Sequence, residues 1–244
     1  MENPVIIALD FENGKKAKKF LSAFEGHAPY VKVGMELFYA EGAPFIYWLK
    51  ERNFQVFLDL KLHDIPTTVN KAMKVLGSLS IDMVNVHAAG GTSMMKAAKE
   101  GLISSGSSHT KLIAVTQLTS TNERMLYDEL LIQHTTVKEC ATHYAMLAKN
   151  CGLDGVVCSA QETKGIKEAC GSSFLSITPG IRPSGSDIHD QARTATPKAA
   201  AEAGVDYMVI GRSITKSEQP VDMYETIVKE WRDAYAYNNR QTFA

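Results

Sequence analysis

Eight times along the chain, a short apolar run rich in Val and Ile is followed by a longer amphipathic stretch, and this alternation restricts the fold more than any other feature. The runs fall near residues 4–10, 30–34, 54–60, 82–87, 111–117, 154–158, 174–178 and 206–210. Helical periodicity predicts helices near 14–24, 36–51, 67–78, 91–104, 135–150, 160–169, 197–203 and 220–238. Strands that are apolar on both faces, each followed by a helix, form a parallel sheet covered by helices. Eight such units in 244 residues match an α/β fold of the (β/α)8 TIM-barrel type, a single domain over residues 1–244. A doubly wound open sheet is the competing architecture, but it normally has fewer strands and binds its ligand at a switch point. No linker, low-complexity segment or repeat beyond the alternation divides the chain.

Composition narrows the functional class. A hydrophobic content of 45% is enough for one substantial core, and a net charge of −1 gives no electrostatic case for nucleic acid or an anionic membrane. The cysteines (Cys140, Cys151, Cys158, Cys170) lack C-x-x-C spacing, which favours reduced, mostly buried thiols over disulfides or a metal site. The apolar run Val5–Leu9 is too short for a signal-peptide core and lacks its basic flank. No window reaches membrane-spanning length, so the expected location is the cytoplasm.

One run ends unlike a structural strand. In Phe57-Leu58-Asp59-Leu60-Lys61-Leu62-His63-Asp64-Ile65-Pro66, three charges fall within six residues. Side chains alternate along a strand, so Asp59 and Lys61 share one face and the leucines occupy the other. Asp64 lies just beyond, and Pro66 suits the first turn of a helix. Buried charge is tolerated only when paired or needed, which makes this strand end a candidate active site.

A barrel predicts that catalytic groups cluster where strands end. The polar residues follow that rule: Asp10 after strand 1, Lys32 on strand 2, Asp59 and Lys61 on strand 3, Asn85 and His87 on strand 4, Thr119 after strand 5, Arg182 after strand 7, and Gly211-Arg212 after strand 8. The helix-to-strand junctions carry ordinary turn residues such as Gly152, Gly155 and Gly204. Several of these residues also have structural readings. Asp10 serves equally as a helix cap ahead of Gly14, Lys32 could snorkel, and Asp59 with Lys61 could be a pair filling a barrel layer. His63 and His87 read as packing or locally hydrogen-bonded histidines, and no cluster supports a metal site. Gly211-Arg212 combines close backbone approach with a forked donor, where barrels commonly bind phosphate. The polar loop Pro183–Asp190 reads as a lid closing over an anion, or as a plain surface connection. A phosphorylated small molecule is the expected substrate.

Taken together, these residues resemble the orotidine 5′-phosphate decarboxylase family. Asp59-x-Lys61-x-x-Asp64-Ile65-Pro66 is similar to its signature. Ala8-Leu9-Asp10, Val31-Lys32-Val33-Gly34, Val115–Ser120, Thr178–Arg182 and Gly211-Arg212-Ser213 follow in the family's order and at the spacings of its bacterial branch. D-x-K-x-x-D alone also occurs in related phosphosugar decarboxylases and aldolases; the set is far more specific.

The resemblance implies decarboxylation of orotidine 5′-phosphate to UMP, the last step of de novo pyrimidine synthesis, without cofactor or metal. Loss of CO2 leaves a vinylic carbanion at C6 that the ring delocalises poorly, so a nearby cation must stabilise that carbon and then protonate it. Lys61 fits both tasks, with Asp59 beside the departing carboxylate. Lys32 and Asp64 would complete an alternating network, Lys32–Asp59–Lys61–Asp64, in which opposite charges at ~4 Å interact by about 4 kcal/mol at an effective dielectric near 20. Each member keeps its neighbours ionised, so Lys61 starts as an ammonium. The resemblance further assigns ribose contacts to Asp10 and Lys32, the pyrimidine contact to Thr119, and the phosphate grip to Arg182, Gln191, Gly211 and Arg212. Asp64 and Thr68 would reach the neighbouring subunit's substrate, implying a homodimer with shared sites. The nearest rival is a magnesium-dependent 3-keto-gulonate-phosphate decarboxylase or hexulose-phosphate synthase, whose signature typically continues with Ala-Gly where Ile65-Pro66 stands here. A catalytically silent phosphate-binding barrel is the non-enzymatic alternative.

Overall fold

The computed structural model describes residues 3–183 and 194–241. Eight parallel strands, β1 (Val5–Ala8), β2 (Tyr30–Gly34), β3 (Gln55–Leu62), β4 (Met83–His87), β5 (Lys111–Val115), β6 (Gly155–Val157), β7 (Leu175–Pro179) and β8 (Tyr207–Ile210), close into a barrel in sequence order. Between and after them lie α1 (Gly14–Leu21), α2 (Met35–Lys50), α3 (Pro66–Gly77), α4 (Gly91–Ser104), α5 (Val137–Asn150), α6 (Ala160–Cys170), α7 (Pro197–Glu202), the short α8 (Arg212–Thr215) and α9 (Pro220–Gln241). The open-sheet alternative is excluded, because β1 pairs with β8 and leaves no edge. A hydrogen bond of 2.7 Å from the Tyr224 hydroxyl on α9 to Asn3 lies beside that seam. Among the described residues, no helix is long and apolar enough to cross a membrane.

The strand period of two divides the core. Outward residues such as Val5, Val31, Val56, Val84 and Val156 pack under the helices. Inward residues Ile6, Tyr30, Phe57, Met83, Ile113, Ile177 and Val209 form a separate cluster inside the barrel. One inward step further along the chain stand Lys32, Asp59 and Asn85, so the charged layer rests on this apolar plug. All four cysteines are buried and unpaired, as their spacing predicts.

The structure differs from the sequence-based expectations in three places. The helix expected over 36–51 breaks at Gly42 (φ 64°, ψ −159°), because Pro44 cannot donate to the preceding turn and its ring opposes the helical carbonyl there. The break has a use: Glu41 Oε1 accepts the Gly14 N–H at 2.7 Å, tying α2 to the start of α1. Residues Met125–Glu129 form a π-helical turn in the β5–α5 connection that no periodicity announced. The third difference is on the helix-to-strand face, which carries more than ordinary turns. Ser80-Ile81-Asp82, Gly152-Leu153-Asp154 and Gly204-Val205-Asp206 each begin with a positive-φ residue that ends a helix and finish with an aspartate that precedes an even-numbered strand. Each aspartate accepts a main-chain N–H of the strand before it (Val56 at 2.7 Å, Leu112 at 2.8 Å, Ser176 at 2.7 Å). Each also pairs with a helix lysine: Lys50 at 2.6 Å, Lys99 at 3.1 Å and Lys167 at 2.6 Å.

Candidate active site

At the C-terminal rim, a cavity of about 590 Å³ opens above the apolar plug. Its lining includes Asp10, Lys32, Asp59 and Lys61 from the β1–β3 part of the rim, Thr119 after β5, and Arg182, Gly211 and Arg212 after β7 and β8. Eight of the residues singled out in the sequence therefore face one space. Its size suits a small nucleotide rather than a polymer.

The charges form a chain. Lys61 Nζ lies 2.7 Å from Asp59 Oδ1, Lys32 Nζ 3.4 Å from Asp59 Oδ2, and Lys32 Nζ 3.2 Å from Asp10 Oδ1. Burial on its own would drive the Lys32 ammonium down, yet Asp59 and then Asp10 outweigh it and hold its pKa above the ordinary lysine value. Burial likewise opposes ionisation of Asp59, but Lys32, Lys61 and the hydrogen bonds from Lys61 and Asn85 keep its carboxyl below the usual aspartate value. Gly34 is part of the design, since a Cβ there would meet Lys32 Nζ at 3.2 Å, tighter than an ordinary contact.

Local structure decides several alternatives left open by the sequence. The cap of α1 is Asn13, whose side chain accepts the Lys16 N–H at 3.0 Å, and Asp10 is left to face Lys32. Within one subunit the alternating network does not extend to Asp64. That residue is exposed, its Oδ1 accepts the N–H of Ile65 at 2.6 Å, and the ion-pair chain runs to Asp10 instead. Thr68, in the first turn of α3, is also exposed and outside the cavity. Gln191 and most of the expected lid lie outside the described residues. The ends of that segment are joined, because Arg182 N–H donates to the Ala195 carbonyl at 2.9 Å and Ala195 N–H to Gly180 at 3.2 Å. Gly180 turns the chain with φ 82° to make this possible.

The His63 and His87 rings pack 5.5 Å apart, and burial, then His63 and Lys61, hold His87 below the ordinary histidine value. Asn85 is fully buried and hydrogen-bonded to both Asp59 and Lys61. The sequence marked Asn85 as a rim residue without giving it a place in the site; a polar side chain between two valines on a buried strand was the available signal.

The profile of the family described as "Orotidine 5'-phosphate decarboxylase / HUMPS family" matches residues 3–227. The chain is 54% identical over 234 residues to the orotidine 5′-phosphate decarboxylase of Bacillus cytotoxicus, covering 95% of this chain and 98% of that protein. It is 53% identical, with the same coverage, to the Bacillus cereus (strain G9842) protein of that name. Among solved structures, orotidine 5′-phosphate decarboxylase from Lactobacillus acidophilus matches with a TM-score of 0.85 at 44% identity, covering 94% of this chain and 99% of that one. A Geobacillus kaustophilus protein described only as uncharacterized and conserved matches with a TM-score of 0.84 at 50% identity, covering 93% and 100%.

Proposed function

The chain belongs to the orotidine 5′-phosphate decarboxylase / HUMPS family, and from that membership we propose how its rim cavity converts orotidine 5′-phosphate to CO2 and UMP. The observation that carries the reading is the buried Lys32–Asp59–Lys61 chain in the lining of a cavity that also offers Arg182 and Arg212. A substrate dianion seated against the two arginines extends its ring toward Lys61. The scissile carboxylate then lies near Asp59, while the carbanion forming at C6 faces the Lys61 ammonium. As CO2 departs, the electron pair stays on C6, and Lys61 Nζ delivers a proton to it. Asp59 holds Lys61 in line and Lys32 holds Asp59, so no charge has to be organised at the moment of reaction. Asp10 and Lys32 take the ribose hydroxyls, Thr119 takes the pyrimidine, and Gly211 joins the arginines at the phosphate. Gln191 would join them from the loop. Phosphate contact energy, realised far from C6, serves to order the charged wall.

The active form in this reading is a homodimer. Asp64 and Thr68 are exposed beside the rim, where they can serve the neighbouring subunit's substrate. Ile65, just before α3, and Met35 and Tyr39, in the first turns of α2, are large apolar side chains that stand exposed. Four buried, unpaired thiols fit a reducing cytoplasm. The test is direct: purified protein is mixed with orotidine 5′-phosphate and UMP formation is followed by ultraviolet absorbance, with and without EDTA. Turnover indifferent to EDTA, and lost by several orders of magnitude in Lys61→Ala, is expected. Activity abolished by chelation would move the chain to the magnesium-dependent side of its family.

A further inference from the structure

Strands β3 and β4 run in register at Leu58↔Val84 and again at Leu62↔Val86. Between those pairs, β3 has three residues (59, 60 and 61) and β4 has only Asn85. A ladder cannot stay continuous across such a mismatch, so the extra backbone must find other partners. The Asn85 side chain supplies one: its Oδ1 accepts the Lys61 N–H at 2.8 Å. Its Nδ2 donates to Asp59 Oδ1 at 2.7 Å, the same oxygen that receives Lys61 Nζ. Lys61 sits at φ 52°, a left-handed conformation that lysine rarely adopts, at the point where Asn85 grips it. Asn85 is wholly buried and absent from the cavity wall, so it does not reach the substrate.

We propose that Asn85 is a positioning residue for the decarboxylation: one amide pins the bulged backbone of Lys61 and the carboxylate of Asp59 together, and so sets where the ammonium meets C6. The inference rests on the function proposed above. The charged or titratable groups around Asp59 are Lys32 from β2, with Asp10 behind it on the β1 side, Lys61 on its own strand, and His87 at the end of β4, with His63 beyond. Loss of the Asn85 donor removes one of the interactions that favour ionised Asp59. Asp59 then protonates at higher pH, and the acid limb of the kcat profile moves upward with it.

The experiment compares wild type with Asn85→Leu and Asn85→Asp as full chains, measuring kcat, KM and the pH profile for orotidine 5′-phosphate. Circular dichroism and thermal melting check the fold. Asn85→Asp retains the shape and the acceptor for Lys61 N–H while setting a second carboxyl against Asp59, so it decides the matter even if Asn85→Leu does not fold. The expected result is a fall in kcat of about 10- to 100-fold, as for a reacting group displaced by about an ångström. KM should stay within about threefold, with the acid limb shifted upward. A folded variant with wild-type kcat overturns the proposal. So does a lower kcat with an unmoved acid limb, which is what a merely structural role produces. Wild type that makes no UMP would instead fail the functional reading itself, whereas active wild type with indifferent variants removes Asn85 alone.

Discussion

Lys32 shows how little freedom the inside of a barrel leaves a charged residue. Its side chain is 12% exposed and reaches carboxylates on both neighbouring strands' ends. The position was legible because a lysine between two valines on a buried strand must either meet a counter-charge or reach water at the rim. Asp59 and Lys61 were legible by the same physics, through alternation. What could not be read was the order of contacts: nothing in D-x-K-x-x-D says that Asp10 rather than Asp64 adjoins the chain within one subunit. Nor does it reveal that Asn85 fills the mismatch beside it. The charges should leave a signature in stability. Asp59 has a depressed folded-state pKa, so its contribution is complete above the unfolded value of about 3.9 and lost as pH falls through the folded value. Lys32 has a raised one, so its contribution is complete below about 10.4 and lost as pH climbs through the folded value. Urea unfolding at pH 7 and pH 3 should therefore show the stability gap between wild type and Asp59→Asn narrowing in acid. A gap of constant size would refute the coupling.

The elements were more legible than their joints. All eight strands and the eight long helical segments lie where periodicity predicts them, because apolar runs and amphipathic stretches report burial directly. The break at Gly42 and the π-helical turn were harder to read, since both depend on contacts distant in sequence. The aspartates at the helix-to-strand face were equally hidden: Asp82, Asp154 and Asp206 look like turn residues until the strand and lysine that each one joins are seen. They join strand, helix and strand with one carboxylate, and Asp206 with Lys167 is the most enclosed of the three. Asp206→Ala would take the counter-charge from the Lys167 ammonium, leaving it only the Ser172 and Phe174 carbonyls, and would strand the Ser176 N–H, a loss on the order of 3 kcal/mol. In a chain of this size that is about 10 °C in Tm. Calorimetry should show the drop while kcat at 25 °C stays near wild type, because the clamp lies away from the cavity wall. A Tm within about 1 °C of wild type would reduce the clamp to a surface contact.

At the scale of the molecule, the site as read is incomplete in one subunit. Lys61 lines its own cavity and Asp64 is exposed outside it, so in the proposed dimer a single signature would be divided between two sites. If it is, mixing inactive Lys61→Ala and Asp64→Ala subunits should restore activity. With random exchange, half the dimers are mixed and each holds one intact site, giving about a quarter of wild-type activity. A mixture no more active than its parents would show that each barrel works alone. The barrel itself has a further consequence, which concerns the order of its making. Strand β1 is hydrogen-bonded to β8, and Asn3 to Tyr224, so its closing partners are about 200 residues away in the chain. A ribosome releases β1 early and β8 late, and for most of synthesis the growing sheet has two open edges that any other strand could join. The seam is the last strand pairing the chain can form, and until it does, the charged wall has no finished room to stand in.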